Sequence, residues 1–205
     1  MPAAEKLDLY KKHKDEYVAG KQPVLVKVGP AKYLTIEGTG GPAGEVFQAK
    51  LAATYGVAFT IKMTRKFAGK GDYKVCHLEG LWWAGHKGGD FMSIPRERWR
   101  WKLMLRVPDV ITERDLTAAK QALREKGKPP DFEQVRLERI TEGRCVQMLH
   151  VGPYSDEPGT LARIAEFAQA EGLKLHGLHH EIYLSDPRRV PPQRLRTILR
   201  HPVRR

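Results

Sequence analysis

The chain has 205 residues, of which 41% are hydrophobic and 29% are charged, and its formal net charge is +12. This composition suits one large or two small globular domains and excludes a disordered chain. No apolar run approaches the roughly 18 residues that a membrane helix needs, and no secretory signal is visible. We therefore expect a cytoplasmic protein, in which the two cysteines, Cys76 and Cys145, are small buried residues.

The positive charge is concentrated near the C-terminal end. Seven arginines and no acidic residue lie between positions 188 and 205. A basic surface attracts polyanions, but no helix-turn-helix, zinc-finger or RNA-binding signature accompanies it. Two interpretations of this segment stay open: a basic C-terminal end that is only solvated, and a surface that contacts nucleic acid. No specific nucleic-acid partner is predicted.

The first half of the chain follows a polar, lysine-rich arm at residues 1–22. Alternating apolar residues and runs of β-branched residues predict strands at 24–28, 33–37, 73–83 and 98–107. Between the second and third of these strands, apolar residues recur at every fourth position, which predicts a helix from 44 to about 66. In the last of these strands, tryptophans and leucines alternate with arginines and lysines, which is typical of a half-buried strand.

The same order of elements returns after a connecting segment at about 108–131. Thr112 and Asp115 there have the spacing of a capping box, which predicts a helix to about residue 126. The second series consists of strands at 135–140, 145–150, 178–185 and 194–200, with a helix at 158–171 after the second strand. Two halves with one plan, about 110 residues apart, indicate an internal duplication.

These halves predict an α+β fold in which two β-α-β-β-type modules are related by a pseudo-two-fold axis and share one antiparallel sheet. The modules would span about 23–107 and 132–203 within a single domain at 23–205. We expect the helices on one face of the sheet and a ligand groove on the other, because pockets form where two lobes meet.

Glu181 is a carboxylate within the predicted strand at 178–185. It alternates with Ile182 and Leu184, which we expect to pack on helices, so Glu181 and Tyr183 should face the groove. A charge is rarely buried without a partner. Two interpretations stay open for Glu181: an internal ion pair with an arginine, or a ligand-facing group that acts as a general base or as a counter-ion for a cation.

All four tryptophans lie between positions 82 and 101, namely Trp82, Trp83, Trp99 and Trp101. One interpretation is core packing. The other is an aromatic wall, because indole rings in a concave site bind flat or cationic molecules through stacking and cation–π contacts.

The histidines near Glu181 do not predict a metal site. Adjacent His179 and His180 point to opposite sides of a strand, so they do not converge on one ion. The chain also lacks a nucleophile elbow, a Walker lysine and a Rossmann fingerprint. No metal and no cofactor are predicted.

Four motifs carry a likeness to a known family: Leu78-Glu79-Gly80-Leu81-Trp82-Trp83, Ile94-Pro95 leading into Trp99-Arg100-Trp101, His150-Val151-Gly152-Pro153-Tyr154, and His179 followed by Glu181-Ile182-Tyr183-Leu184-Ser185-Asp186-Pro187-Arg188-Arg189. With these motifs the chain resembles the GyrI-like small-molecule-binding family, most closely its stand-alone branch, over residues 23–203. The resemblance implies tandem SHS2-like modules around a central groove.

The resemblance also implies a function. Some stand-alone relatives are cyclopropanoid cyclopropyl hydrolases, which add water to the activated cyclopropane of DNA-alkylating compounds. By this resemblance Glu181 would be the base or the water-positioning carboxylate, and the aromatic wall would be drawn from Trp82, Trp83, Trp99, Trp101, Tyr154 and Tyr183. Two alternatives stay open: a non-catalytic module that binds, sequesters or senses drugs, and a gyrase-inhibitor-like interaction protein.

Overall fold

The computed structural model describes residues 6–85 and 94–205, which form a mixed α+β fold around one antiparallel sheet. The strands are β1 (Val24–Val28), β2 (Ala31–Thr39), β3 (Glu79–Trp83), β4 (Arg100–Val107), β5 (Arg136–Ile140), β6 (Gly143–Val151), β7 (Lys174–Leu175), β8 (His179–Tyr183) and β9 (Arg196–Arg204). The helices are α1 (Leu9–Lys12), α2 (Lys14–Tyr17), α3 (Glu45–Phe67), α4 (Glu113–Glu125) and α5 (Glu157–Ala170). The predicted capping box of Thr112 and Asp115 opens α4 and is confirmed.

The sheet is built from two interlocked halves. Its strand order is β1-β6-β9-β8-β3-β4-β2-β5, with β7 added beside β9. This order reads the same from both edges when β1, β2, β3 and β4 are exchanged for β5, β6, β8 and β9. The first strand of each half pairs with the second strand of the other half. The halves therefore meet at the centre of the sheet, where Gly80 of β3 pairs with Glu181 of β8.

The helices α3 and α5 lie on the same face of the sheet. Leu103 of β4 packs in one apolar cluster with Val57 and Ile61 of α3, and Leu199 of β9 packs with Ile164 of α5. Directly paired residues of neighbouring strands point to the same face. Leu103 pairs with Gly80, Gly80 with Glu181, and Glu181 with Leu199. Glu181 therefore points to the face that carries both helices.

The prediction that the helices lie on one face of the sheet and the ligand groove on the other is wrong, because Glu181 points to the helical face. Ile182 does pack on a helix, but on the face opposite α3 and α5, in a cluster with Tyr17 of α2 and with Ile198. That face is not open, because the N-terminal segment covers part of it. The candidate ligand site must lie on the helical face, over the central strands between α3 and α5.

Residues 9–17, part of the predicted polar arm, form the two short helices that cover this opposite face. The Tyr17 hydroxyl donates a hydrogen bond of 3.0 Å to Glu79. Arg106 of β4 forms an ion pair of 2.6 Å with Glu16. The alternating charges of β4 therefore include a buried arginine that holds the N-terminal helices, rather than a wholly solvated stripe.

The strand predicted at 73–83 begins only at Glu79. The preceding residues bond to the N-terminal segment instead of to the sheet. The Lys74 amide donates to the Leu7 carbonyl, and the His77 amide donates 2.7 Å to the Tyr10 hydroxyl. These partners are more than 60 residues away in the chain, so strand periodicity alone could not show them. Among the described residues, no helix combines the length and the apolar character that crossing a membrane requires.

Candidate functional site

Two buried carboxyl groups meet on the helical face. Glu181 of β8 is 6% exposed, and Glu157, the first residue of α5, is 2% exposed. A ligand atom of each, together with a ring nitrogen of His179, lies within 4.8 Å of the other two. The end of helix α5 thus brings a second acid to the carboxylate that the strand β8 supplies.

The proximity of Glu181 changes the protonation of Glu157. Burial, and then the charge of Glu181, raise the pKa of Glu157 to about 10, because two neighbouring carboxylates in a poorly solvated place cannot both ionise easily. At neutral pH the Glu157 carboxyl is a neutral acid. Its Oε1 has no hydrogen-bond partner among the described residues. An unsatisfied buried oxygen costs about 1–3 kcal/mol, which a contact to water or ligand would offset.

The described partner of the Glu181 carboxylate is a histidine rather than an arginine. His179 Nε2 lies 3.2 Å from Glu181 Oε1, since side chains two residues apart on a strand share a face. In the described part of the chain no arginine forms an ion pair with Glu181. Two carboxyl groups and one imidazole are also a donor set that divalent metals accept, so Glu157, His179 and Glu181 are the residues that could hold an ion.

Aromatic side chains adjoin this carboxyl pair. Trp82 Nε1 donates a hydrogen bond of 2.9 Å to the Tyr183 hydroxyl. The Tyr183 ring meets that of Tyr154 edge-on at 6.0 Å, and Trp82 meets Trp99 edge-on at 5.8 Å. Burial and the charge of Glu181 raise the pKa of Tyr183 well above its ordinary value, so its hydroxyl stays protonated. Trp82, Trp99, Tyr154 and Tyr183 therefore form one continuous aromatic group, which we call the aromatic wall.

Gly80 makes room for the wall. It pairs with Glu181 across the β3–β8 seam. A Cβ atom at Gly80 would lie 2.9 Å from Trp82 Nε1 and 3.2 Å from the Tyr183 hydroxyl. Only a residue without a side chain lets these two groups meet in front of the strand.

Of the other two tryptophans, Trp101 pairs directly with Trp82 and belongs to the same apolar cluster. Trp101 is 0% exposed, and its indole N–H donates to the Gly40 carbonyl at 3.0 Å. Trp83 lies on the opposite face of the sheet, in a cluster with Tyr33 and Met104. Both positions are typical of core packing, and Trp83 is separated from the Glu157–Glu181 pair by the sheet itself.

Sequence reasoning missed Glu157 and used His179 only to argue against a metal. Glu157 looks like an ordinary acid in the first turn of a helix, and its approach to Glu181 depends on how α5 crosses the sheet. His179 could have been found, because its two-residue spacing from Glu181 places both on one face. His179 and His180 do point to opposite faces, as expected.

A buried charge network lies directly behind the site, on the opposite face. His180 Nδ1 is 2.9 Å from Glu142, and Arg200 Nη1 is 2.8 Å from the other oxygen of Glu142. Although burial opposes both charges, this pairing raises the pKa of His180 to about 9 and lowers that of Glu142 to about 2. The network links β8 and β9 to the loop before β6, and so holds the strand that carries Glu181.

Comparisons with known proteins agree with this architecture. The family model described as the GyrI-like small molecule binding domain matches residues 114–204. The solved structure of an uncharacterized conserved protein from Listeria innocua is 40% identical to this chain, with a TM-score of 0.90 over 97% of this chain and 100% of that one. A hydrolase from Listeria innocua is 39% identical, with a TM-score of 0.87 over 97% of this chain and 100% of that one.

A more distant structure shares the fold alone. The C-terminal domain of EcmrR is 12% identical, with a TM-score of 0.54 over 90% of this chain and 98% of that domain. No curated protein matches the chain. Residues 114–204 of this chain therefore belong to the GyrI-like small molecule binding domain family, and the Listeria innocua proteins are similar to the chain over nearly its whole length.

Proposed function

We propose that this protein hydrolyses the activated cyclopropane ring of flat, cyclopropanoid DNA-alkylating compounds, and so detoxifies them. The observation that carries the proposal is the buried Glu157–Glu181 pair beside the aromatic wall. The raised pKa of Glu157 keeps a proton on this carboxyl beside the second carboxyl group, that of Glu181, and such carboxyl pairs are typical of acid–base chemistry. The name hydrolase, which a 39% identical relative carries, supports the same class of reaction.

The aromatic wall would bind the substrate. Tyr154 and Tyr183 are partly exposed and would present their phenol rings to a flat polycyclic molecule, whereas Trp82 and Trp99 are buried in the core and would support these rings from behind. Each such contact contributes about 0.5–1.5 kcal/mol beyond the burial of its area. Stacking would hold the strained carbon near Glu181 and exclude bulk water from it.

The chemistry would be the addition of one water molecule. Glu181 accepts a proton from the water molecule, while the oxygen atom of that water forms a bond to the unsubstituted cyclopropane carbon. The ring C–C bond breaks, and its electron pair moves into the conjugated ring to give a phenolate. The phenolate takes a proton from solvent, and Glu181 releases to solvent the proton that it took from the water. The neutral Glu157 carboxyl would orient the water through a hydrogen bond. Because the ring is strained, positioning and one base could suffice.

The direct test replaces the proposed base with its uncharged isostere. Glu181→Gln should lower turnover of a cyclopropapyrroloindole substrate at least about 100-fold, while the Kd for the ring-opened product changes little. Glu166→Gln, a change at an exposed position of α5, should leave turnover unchanged. Full turnover by Glu181→Gln would refute the role that we assign to Glu181.

A non-catalytic binding module is the second candidate. The buried carboxyl group of Glu181 beside aromatic rings would also serve as a counter-ion for a flat cation. A protein that binds a rhodamine dye, and loses this binding in Glu181→Gln, but turns over no cyclopropanoid compound would favour this candidate over the hydrolase.

We also propose that the two halves are copies of one β-α-β-β-type, SHS2-like module, at about 23–107 and 132–203. The symmetric strand order supports this. In each module the helix follows the second strand, so duplication would explain why α3 and α5 flank one central site.

A further inference from the structure

The outward face of α3 is apolar along most of its length. This helix runs from Glu45 to Phe67, and its inward face buries Phe47, Val57 and Ile61. On the opposite side, the residues that share the outward stripe are Ala49, Ala52, Gly56, Phe59, Met63 and Phe67. At about 100° per residue these six positions fall within an arc of about 80°. We call them the α3 seam.

The seam is exposed and uncharged. Phe59 is 50% exposed and Phe67 is 79% exposed, and Met63, Ala49 and Ala52 are also exposed. Large apolar side chains at single surface positions are ordinary, but a continuous stripe of them marks an interaction site. Positions 49, 52, 56, 59 and 63 alternate in steps of three and four, which is the spacing of a coiled-coil contact line.

Gly56 at the centre of the seam has no explanation within one chain. Glycine inside a helix destabilises the helix relative to alanine. A Cβ atom at Gly56 would have no neighbour within 4 Å, and the backbone of Gly56 does not have a positive φ. Neither packing nor conformation therefore requires a glycine here. A second helix that crosses closely at this point would require one.

We propose that α3 packs antiparallel against α3 of a second copy of this chain, about a two-fold axis near Gly56. The N-terminal half of the seam carries the small residues Ala49 and Ala52, and the C-terminal half carries Phe59 and Met63. An antiparallel pair places the large half of each helix against the small half of the other. A parallel pair would instead set large against large and leave a gap at the alanines.

The charges at the two ends of α3 agree with this arrangement. Glu45 begins the helix, is exposed and lies in the same arc as the seam, and Lys66 near the helix end has a half-exposed side chain whose ammonium also lies 3.8 Å from Asp72. The antiparallel pairing brings Glu45 of each copy toward Lys66 of the other, and it also opposes the two helix dipoles favourably. The seam points away from the sheet, so this homodimer leaves the Glu157–Glu181 site uncovered, and the proposal does not depend on the proposed function.

The first test measures the mass of the protein in solution. Light scattering coupled to size-exclusion chromatography should give a dimer for the wild-type protein and a monomer for Met63→Glu and Phe59→Glu, with unchanged circular dichroism. Val110→Glu, at an exposed apolar position outside α3, should remain a dimer. A monomeric wild-type protein would overturn the proposal. Flotation of such a monomer with anionic vesicles would indicate that α3 is instead an amphipathic membrane-binding helix.

The second test establishes the direction of the helices by disulfide cross-linking. Mixed Ala49→Cys and Met63→Cys proteins should form a cross-linked heterodimer under mild oxidation. Ala49→Cys alone should not cross-link, because the antiparallel pair keeps its two copies about 21 Å apart. The native Cys76 and Cys145 are buried and do not interfere. Cross-linking of Ala49→Cys to itself would contradict the antiparallel arrangement.

Discussion

At the scale of single residues, the chemistry of the site depends on the unequal surroundings of Glu157 and Glu181. Glu181 has His179 at hydrogen-bonding distance, whereas Glu157 has a buried oxygen without a partner in the described residues. Burial and the charge of Glu181 raise the pKa of Glu157, so the Glu157 carboxyl keeps its proton at neutral pH. Such an arrangement favours function at a cost in stability, as active sites often do.

This cost can be measured with Glu157→Gln. The folded protein holds the pKa of Glu157 near 10 instead of 4.5, so the wild-type protein loses stability as the pH rises from 4.5 toward 10. Glutamine resembles the neutral acid but does not ionise. Glu157→Gln should therefore be more stable than the wild type at pH 8, by more than about 1 kcal/mol, and the gain should be smaller at pH 5. Urea unfolding at both pH values checks this; an equal gain at the two would contradict the raised pKa.

At the scale of elements, the periodicity of the sequence predicted most helices and strands but not which face each presents to which partner. The direction in which Glu181 points depends on the pairing of β3 with β8, whose residues are about 100 positions apart. Tertiary contacts of that kind override local pattern. The same reason explains Trp82 and Trp83: alternation placed them on opposite faces, and only the position of α3 and α5 shows which face holds the site.

The strand β8 also shows how one element serves two purposes. Its residues His179, Glu181 and Tyr183 face the site, while His180 faces the charge network with Glu142 and Arg200. A buried ion pair is weak evidence for stability in itself, but removing one partner leaves an unpaired charge that costs about 3–5 kcal/mol. We infer that the network fixes the orientation of β8.

The network predicts a pH profile of stability. His180 has a raised pKa of about 9, so its contribution is complete below pH 6.5 and is lost as the pH rises through 9. Glu142 has a lowered pKa of about 2, so its contribution is present above pH 4.5 and is lost as the pH falls through 2. In thermal unfolding, the wild-type protein should lose stability as the pH falls toward 2, and Glu142→Gln should lose less stability over the same pH range. If Glu142→Gln loses as much stability at low pH as the wild type, Glu142 is not the source of that loss.

At the scale of the whole molecule, α3 and α5 lie on one face of the sheet, and the candidate site lies between them at the junction of the two halves. The repeat of plan and the family resemblance predicted such a central site from the sequence. The repeat and the resemblance could not predict Glu157 as a residue of this site, because its place there depends on the proximity of α5 to β8 rather than on any local pattern. The outward seam of α3 adds a second surface, which faces away from the site.

The central claim is that a water molecule activated by Glu181 opens the strained ring. Single-turnover hydrolysis of a cyclopropapyrroloindole in ¹⁸O-labelled water, with the enzyme in excess, tests it most directly by mass spectrometry of the product. We predict one ¹⁸O atom on the opened carbon, and no product above background from Glu181→Gln. Ring-opened product without ¹⁸O would show that a protein carboxylate attacks the ring itself, and the absence of any ring opening by the wild-type protein would contradict the hydrolase.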